Sequence, residues 1–266
     1  MKKTAFICTA CGIEYEPSEN QPTECPVCTD DRQYVPGGCQ SWTTLTQVNQ
    51  QYKNIFEKIH DRFYALYTTP HFAIGQRAHL ILSPSGNILW DCITNIDDST
   101  VDLIQNMGGI KAIAISHPHY FSTIAEWSER FGNIPVYIHR LDAKWLGRKP
   151  GNLQLWENDE KEIWDGIKLI RCGGHFPGSC VLHYPHGKGS LFVGDTIQVN
   201  PTQNTVSFMY SYPNLIPLPK KDIVQINDAV KEITYDAMYG AFGKYIQNDA
   251  KKSMQASVKR YLQIFE

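Results

Sequence analysis

A chain of 266 residues with 42% hydrophobic residues is long enough for one large domain plus a small module. Its formal net charge of −2, with no long run of like charge, argues against nucleic acid or a membrane surface as a partner. No stretch approaches the roughly 20 apolar residues of a spanning helix. The apolar run Ala5-Phe-Ile-Cys-Thr-Ala10 after Met1-Lys-Lys is too short for a signal sequence, so the expected location is cytoplasmic.

Residues 1–38 are expected to form a small module built on two Cys-x-x-Cys knuckles, Cys8-Thr-Ala-Cys11 and Cys25-Pro-Val-Cys28. Gly12 after the first and Pro26 within the second help the backbone turn, so that four thiolates can face one tetrahedral ion. The pair resembles a zinc ribbon or rubredoxin knuckle pair, with zinc the favoured metal and iron also allowed. Disulfides do not suit a reducing compartment, and a redox dithiol would not need to appear twice. Cys39, Cys92, Cys172 and Cys180 lack such spacing and are expected to be buried and reduced.

Pro36-Gly-Gly38 reads as a hinge, and Ser41-Trp-Thr-Thr as the start of a short capped helix within a linker, 39–52. The main domain is expected over 53–266. Phe63–Tyr67 and Ala78–Ser83 read as strands, and Pro84-Ser-Gly-Asn87 as a hairpin turn into Ile88–Asp91. Residues 98–107 read as a helix stopped by Gly108-Gly109. Ile113–Ile115 is a buried strand leading to His117 and His119, and a helix with a hydroxyl cap is expected from Ser122. Pro135–Ile138 is the next strand and Asp142–Leu146 a short helix. Strands at Ile163–Ile170 and Val181–Tyr184 lead to Asp195, and helices over Lys221–Ile233 and Ser253–Ile264 close the chain.

Two of these strands, and another that runs from Leu191 to Gly194, end on residues able to hold a metal. His117-Pro-His119 follows the first, Cys172-Gly-Gly-His175-Phe-Pro-Gly-Ser179 the second, and Gly194-Asp195-Thr196 the third. Strand ends on one edge of an α/β layer are where sites are built. Alternate residues of an extended segment point the same way, which would bring both imidazoles of His-x-His to one ion.

With these motifs in this order, and with Asp91 where an earlier structural aspartate is usual, residues 53–266 resemble the metallo-β-lactamase fold superfamily. The resemblance implies an αββα sandwich and a metal site of His117, His119, His175 and Asp195, with His175 and Asp195 in the catalytic machinery. It also implies a departure. The family continues His-x-His-x-Asp-His, whereas this chain has Phe121 and Ser122, and no histidine occurs after His186. The second metal site thus lacks three usual ligands, and one zinc or iron at the three-histidine, one-aspartate site is expected.

Tyr120 and the loop residues Tyr210, Tyr212 and Asn214 are candidates to contact a small-molecule substrate, although loop tyrosines also serve simply to pack a loop. His139 suits capping or a surface hydrogen bond, and His183 and His186 suit structural roles. His60, His71 and His79 have no companion at ligand spacing, though His71 could line the cleft. The leading expectation is a metal-dependent hydrolase of an ester, thioester, lactone or lactam. The alternatives are a mononuclear iron redox protein or oxygenase, and a catalytically silent binding protein that keeps the fold.

Overall fold

The computed structural model describes residues 3–266; Met1 and Lys2, where the signal-like start falls, lie outside them. Two sheets pack face to face. The first runs in chain order through β1 (Lys53–His60), β2 (Phe63–Thr69), β3 (Ala78–Ile81), β4 (Ile88–Trp90), β5 (Ala112–Ala114), β6 (Val136–His139) and β7 (Leu153–Trp156). It is antiparallel to β4 and parallel beyond. The second contains β8 (Glu160–Glu162), β9 (Lys168–Arg171), β10 (Cys180–Tyr184), β11 (Ser190–Gly194), β12 (Ala237–Gly240) and β13 (Tyr245–Ile246), with only β11 and β12 paired in parallel.

The two-residue period of a strand decides which side chain enters which layer. Ile88 and Trp90 enter the core between the sheets, together with Leu169, Leu182, Phe192 and Tyr239. Their neighbours turn outward: Leu89 joins the layer with Ile104 and Trp127. Ile170, Val181, Leu191 and Met238 join the layer with Ile223, Ile226 and Val258. Strands buried on both faces must be apolar throughout, which is why these segments read as runs rather than alternations. Helices α1 (Leu45–Gln51), α2 (Asp98–Asn106), α3 (Ile124–Arg130), α4 (Lys220–Val230) and α5 (Ala250–Leu262) complete the chain. Of these, α2 and α3 contribute to the layer outside the first sheet, and α4 and α5 to that outside the second, an αββα order.

The four-cysteine segment shares a core with this body. Its Ile13 and Val27 belong to the same buried cluster as Leu66, Leu89 and Trp127, each worth roughly 1.5–3 kcal/mol on burial. Ile7–Cys8 pairs antiparallel with Trp42–Thr43. The Glu14 N–H donates to the Ser122 carbonyl at 2.9 Å, and Thr94 Oγ1 donates to the Gly12 carbonyl at 3.1 Å. The contact with the loop at 147 is equally close. A Cβ at Gly147 would lie 2.4 Å from the Glu14 carbonyl oxygen and 2.9 Å from Ile13 Cγ2. Gly147→Ala is therefore expected to lower stability by about 1–3 kcal/mol, seen as a lower urea midpoint; an unchanged midpoint would show that the segment shifts freely.

Several local expectations are corrected. Trp42 and Thr43 are strand, and the helix expected from Ser41 begins at Leu45, capped by Thr44 with Gln47 in a reciprocal capping box. The long edge strand β1 was not anticipated. It carries Lys, Asn and Glu among its apolar residues and none of its side chains is fully buried. The strand expected from Ile163 begins only at Lys168, because Asp165 and Gly166 both hold positive φ in a turn. The short helix expected over Asp142–Leu146 is a 3₁₀ helix that starts two residues earlier, Arg140–Trp145. Cys39 is exposed, unlike Cys92, Cys172 and Cys180, and none of the eight cysteines is in a disulfide.

Candidate metal centres

The first centre is assembled from the ends of strands. After β5, the Ser116 N–H donates to Asp91 Oδ1 at 2.7 Å, and Asp91 itself holds a φ of 62° at the end of β4. Ser116 Oγ in turn bonds His117 Nδ1 at 2.8 Å, leaving the ring's Nε2 for the centre. Asp91 thus fixes the turn that presents the first histidine.

His119 arrives by a different route from the one expected. Pro118–Tyr120 is a 3₁₀ turn, not an extended segment, and His119 presents Nδ1. Helix α3 begins later than expected, at Ile124. Ser122 holds a φ of 39°, and its hydroxyl donates to the Cys92 carbonyl rather than capping the helix. No side chain caps that helix end. At the end of β11, Gly194 has a φ of 50°, and a Cβ there would lie 2.6 Å from Ser116 Oγ, so only glycine admits Asp195 at this position.

His117 Nε2 lies 3.4 Å from Asp195 Oδ2, His119 Nδ1 lies 3.9 Å from the same oxygen, and His175 Nε2 lies 3.3 Å from His119 Nδ1. All four donor atoms fall within 4.8 Å of one another. Bonds of about 2.0–2.1 Å to a tetrahedral ion would separate neighbouring donors by about 3.3–3.4 Å.

The donor chemistry agrees. The Met209 carbonyl faces His175 Nδ1 at 3.2 Å; only an N–H can satisfy it, so Nε2 carries the lone pair. Burial, aided by the neighbouring imidazoles, holds His175 well below its ordinary pKa, and burial likewise lowers His119. Burial works to raise Asp195, but the adjacent His117 and His119 rings outweigh it and hold the carboxylate below its ordinary range. With the lone pair of His119 Nδ1 turned to the same point, the two facing nitrogens would share a cation. His117 Nε2 and Asp195 Oδ1 are buried with no hydrogen-bond partner among the described residues. The group is able to hold a metal ion.

The second centre is Cys8, Cys11, Cys25 and Cys28. Cys8 Sγ and Cys28 Sγ are 3.7 Å apart, and Cys11 Sγ and Cys25 Sγ 3.6 Å apart, against about 3.8 Å for a tetrahedral ion with 2.3 Å metal–sulfur bonds. The Tyr15 hydroxyl donates to Cys25 Sγ at 3.0 Å, and Gln40 Nε2 donates to Cys8 Sγ at 3.1 Å, both suited to thiolate. This group too is able to hold a metal.

No third such group occurs among the described residues. Phe121 and Ser122 are buried, and the Ser122 carbonyl is committed to Glu14. Both residues are thus engaged in packing the N-terminal segment.

The histidine centre is covered. His117, His119, His175 and Asp195 are 1%, 4%, 0% and 5% exposed. Tyr212 donates its hydroxyl to the Asp195 carbonyl at 2.8 Å, and Asn214 Nδ2 donates to the Asp31 carbonyl at 2.9 Å, tying the loop to the cysteine segment. Tyr210 lies under the Arg32 guanidinium, and Tyr120 is buried edge-on to the His117 ring. Arg32, Phe176, Trp145 and Gln76, which bonds the His119 carbonyl at 3.0 Å, also surround the centre and were not anticipated. His71 is exposed on its loop. His139 caps its turn through Nδ1, as expected, but is buried against Trp156 and not at the surface. A groove of ≈ 620 Å³ includes Arg62, Lys188 and Ser190. It therefore opens at the start of β11, whose other end carries Asp195, and is remote from the centre.

No protein-family model matches the chain. Over 262 residues it is 43% identical to the uncharacterized protein YmaE of Bacillus subtilis (strain 168), covering 97% of this chain and 95% of YmaE. The chain belongs to the YmaE family. Among solved structures it resembles the metallo-β-lactamase FIM-1 from Pseudomonas aeruginosa in its mono-zinc form, with a TM-score of 0.58 at 13% identity over 78% of this chain and 96% of that one. It also resembles a metallo-β-lactamase from Pontibacter korlensis, with a TM-score of 0.57 at 15% identity over 78% and 99% of the two chains. This member of the YmaE family therefore has the metallo-β-lactamase fold, joined to a four-cysteine segment near its N-terminus. Among the described residues no helix is long and apolar enough to cross a membrane.

Proposed function

We propose that this YmaE-family protein is a hydrolase that uses one metal ion, held by His117, His119, His175 and Asp195, on a small-molecule ester, thioester, lactone or lactam. The cysteine centre is a structural zinc site. The observation that carries this reading is the convergence of three imidazole nitrogens and one carboxylate oxygen at separations that fit a single ion. The mono-zinc form named for FIM-1 is consistent with a one-metal centre on this fold.

Bound zinc would lower the pKa of a coordinated water to about 7 and polarise a substrate carbonyl. The protein's own groups do the rest. The Met209 carbonyl and Ser116 hydroxyl hold the His175 and His117 rings in register, and Asp195 Oδ1, buried and unpartnered, is placed to accept a proton from an attacking water. Tyr212 fixes the Asp195 backbone. The cover over the centre excludes water and must move for substrate to enter.

That same cover supports a second reading, in which a closed shell of three histidines and one aspartate leaves no open position and the chain binds a partner without catalysis. Metal content and turnover together decide. The wild-type chain is expected to hold two metal ions per chain, and His175→Ala one. Hydrolysis across a panel of chromogenic esters, thioesters, lactones and lactams should fall by about 10²–10⁴-fold in that variant. Two metals without any turnover would favour the silent reading. One metal, lost with the cysteines, would remove the hydrolase reading altogether.

A further inference from the structure

Arg32 belongs to the N-terminal segment, four residues beyond Cys28, yet it lies against the histidine centre. Its Cζ sits 4.2 Å over the Phe176 ring and 4.7 Å over the Tyr210 ring. The Phe176 ring in turn lies 5.1 Å from His119 and from His175 and 5.8 Å from His117. One aromatic ring thus separates the guanidinium from each of the three histidines.

The contacts of Arg32 are incomplete. Nη1 donates to Asp30 Oδ1 at 2.8 Å, and the Arg32 N–H donates to the same oxygen. Nε is buried and has no hydrogen-bond partner among the described residues, and the side chain is only 13% exposed. Rings on its faces and one carboxylate at Nη1 leave the edge that contains Nε free. That edge is one of the two on which a guanidinium takes a carboxylate with two parallel hydrogen bonds. An anchor evolved only to pin the segment down would be expected to satisfy a buried donor.

Charge accounting points the same way. A divalent ion with one hydroxide would be neutralised by the single Asp195 carboxylate, so the centre by itself would offer an anionic substrate no net attraction. Arg32 is a cation one aromatic ring away from it.

Building on the hydrolase reading, we propose that Arg32 is a substrate-recognition residue, supplied by the four-cysteine segment, and that the preferred substrate is a carbonyl compound carrying a carboxylate. The Cys25–Cys28 knuckle holds the loop that carries it, and Asp30 sets the orientation of the fork. The cover over the centre is then part of the binding site.

Two arms test this on the full zinc-loaded chain. In the first, kcat/KM is measured for 4-nitrophenyl acetate and for the mono-4-nitrophenyl ester of succinate. Arg32→Gln is expected to lower the succinyl-to-acetyl ratio by about ten- to a hundredfold, the scale of a hydrogen bond to a charged group, and Arg32→Lys by less. In the second, succinate binding is followed by calorimetry in wild type, Arg32→Gln and His175→Ala. Binding should weaken about tenfold or more in Arg32→Gln and persist in His175→Ala, so this arm reports even if no ester is hydrolysed. Metal content shows that the segment is intact. An unchanged ratio with unchanged succinate binding, or loss of the cysteine-bound metal in both Arg32 variants, would make Arg32 a structural anchor and overturn the proposal.

Discussion

The Cys25→Ser, Cys28→Ser chain is expected to lose one metal ion and, with it, the folded N-terminal segment. A structural zinc contributes about 10–16 kcal/mol to a small cysteine module, far more than Ile13 and Val27 supply by burial. Without an ion, four cysteine sulfurs held 3.6–3.7 Å apart in pairs inside a core have no compensation. The loss should spread. Asp31 accepts from Asn214 and Arg32 lies on Phe176 and Tyr210, so releasing the second knuckle uncovers the histidine centre. Limited proteolysis with mass detection should give cuts before residue 45 in the variant only, while its histidine-bound metal remains. Equal metal content in variant and wild type would show that the cysteines hold no ion.

Arg148→Ala should be the most damaging single substitution outside the metal centres. Arg148 Nη1 contacts Glu14 Oε2 at 2.9 Å and also Glu126, and Nη2 contacts Glu129 at 3.0 Å. Glu14 is 2% exposed, so removing the arginine strands a buried carboxylate beside two others, at a cost of about 3–5 kcal/mol. The effect has a defined pH dependence. Burial pushes Glu14 up to about 7 from its ordinary 4.5, with Arg148 opposing the rise. Below 4.5 the group is protonated in both folded and unfolded chains and costs nothing. As pH climbs, the unfolded chain ionises first, and the stability contributed by the protonated side chain is lost through about pH 7. Without Arg148 the folded pKa climbs further. The gap in urea midpoint between variant and wild type should therefore be wider at pH 8 than at pH 5; equal gaps would exclude Glu14 as its source.

The histidine centre was legible because its parts are local signals. His117 and His119, His175 among glycines, and Gly194 before Asp195 each stand at the end of an apolar run, and their order suffices for the resemblance. The route was less legible than the result. His119 reaches the centre from a 3₁₀ turn through Nδ1, and Ser122, expected as a helix cap, is diverted by its bonds to Cys92 and Glu14. Those contacts join segments far apart in the chain, and no local propensity competes with them.

By itself the sequence determined the chemistry available: four thiolates in two knuckles, three imidazoles and a carboxylate at strand ends, and apolar runs sufficient for two buried sheets. Ligand identity and knuckle spacing are properties of a few consecutive residues, so they survive without coordinates. The tertiary structure alone decided what stands over the centre. Asp31 and Asn214 meet across 183 positions of chain, and Arg32 meets Phe176 and Tyr210 across a similar span. Such contacts arise from the packing of the cysteine segment on the sandwich, which no periodicity or motif in either partner encodes.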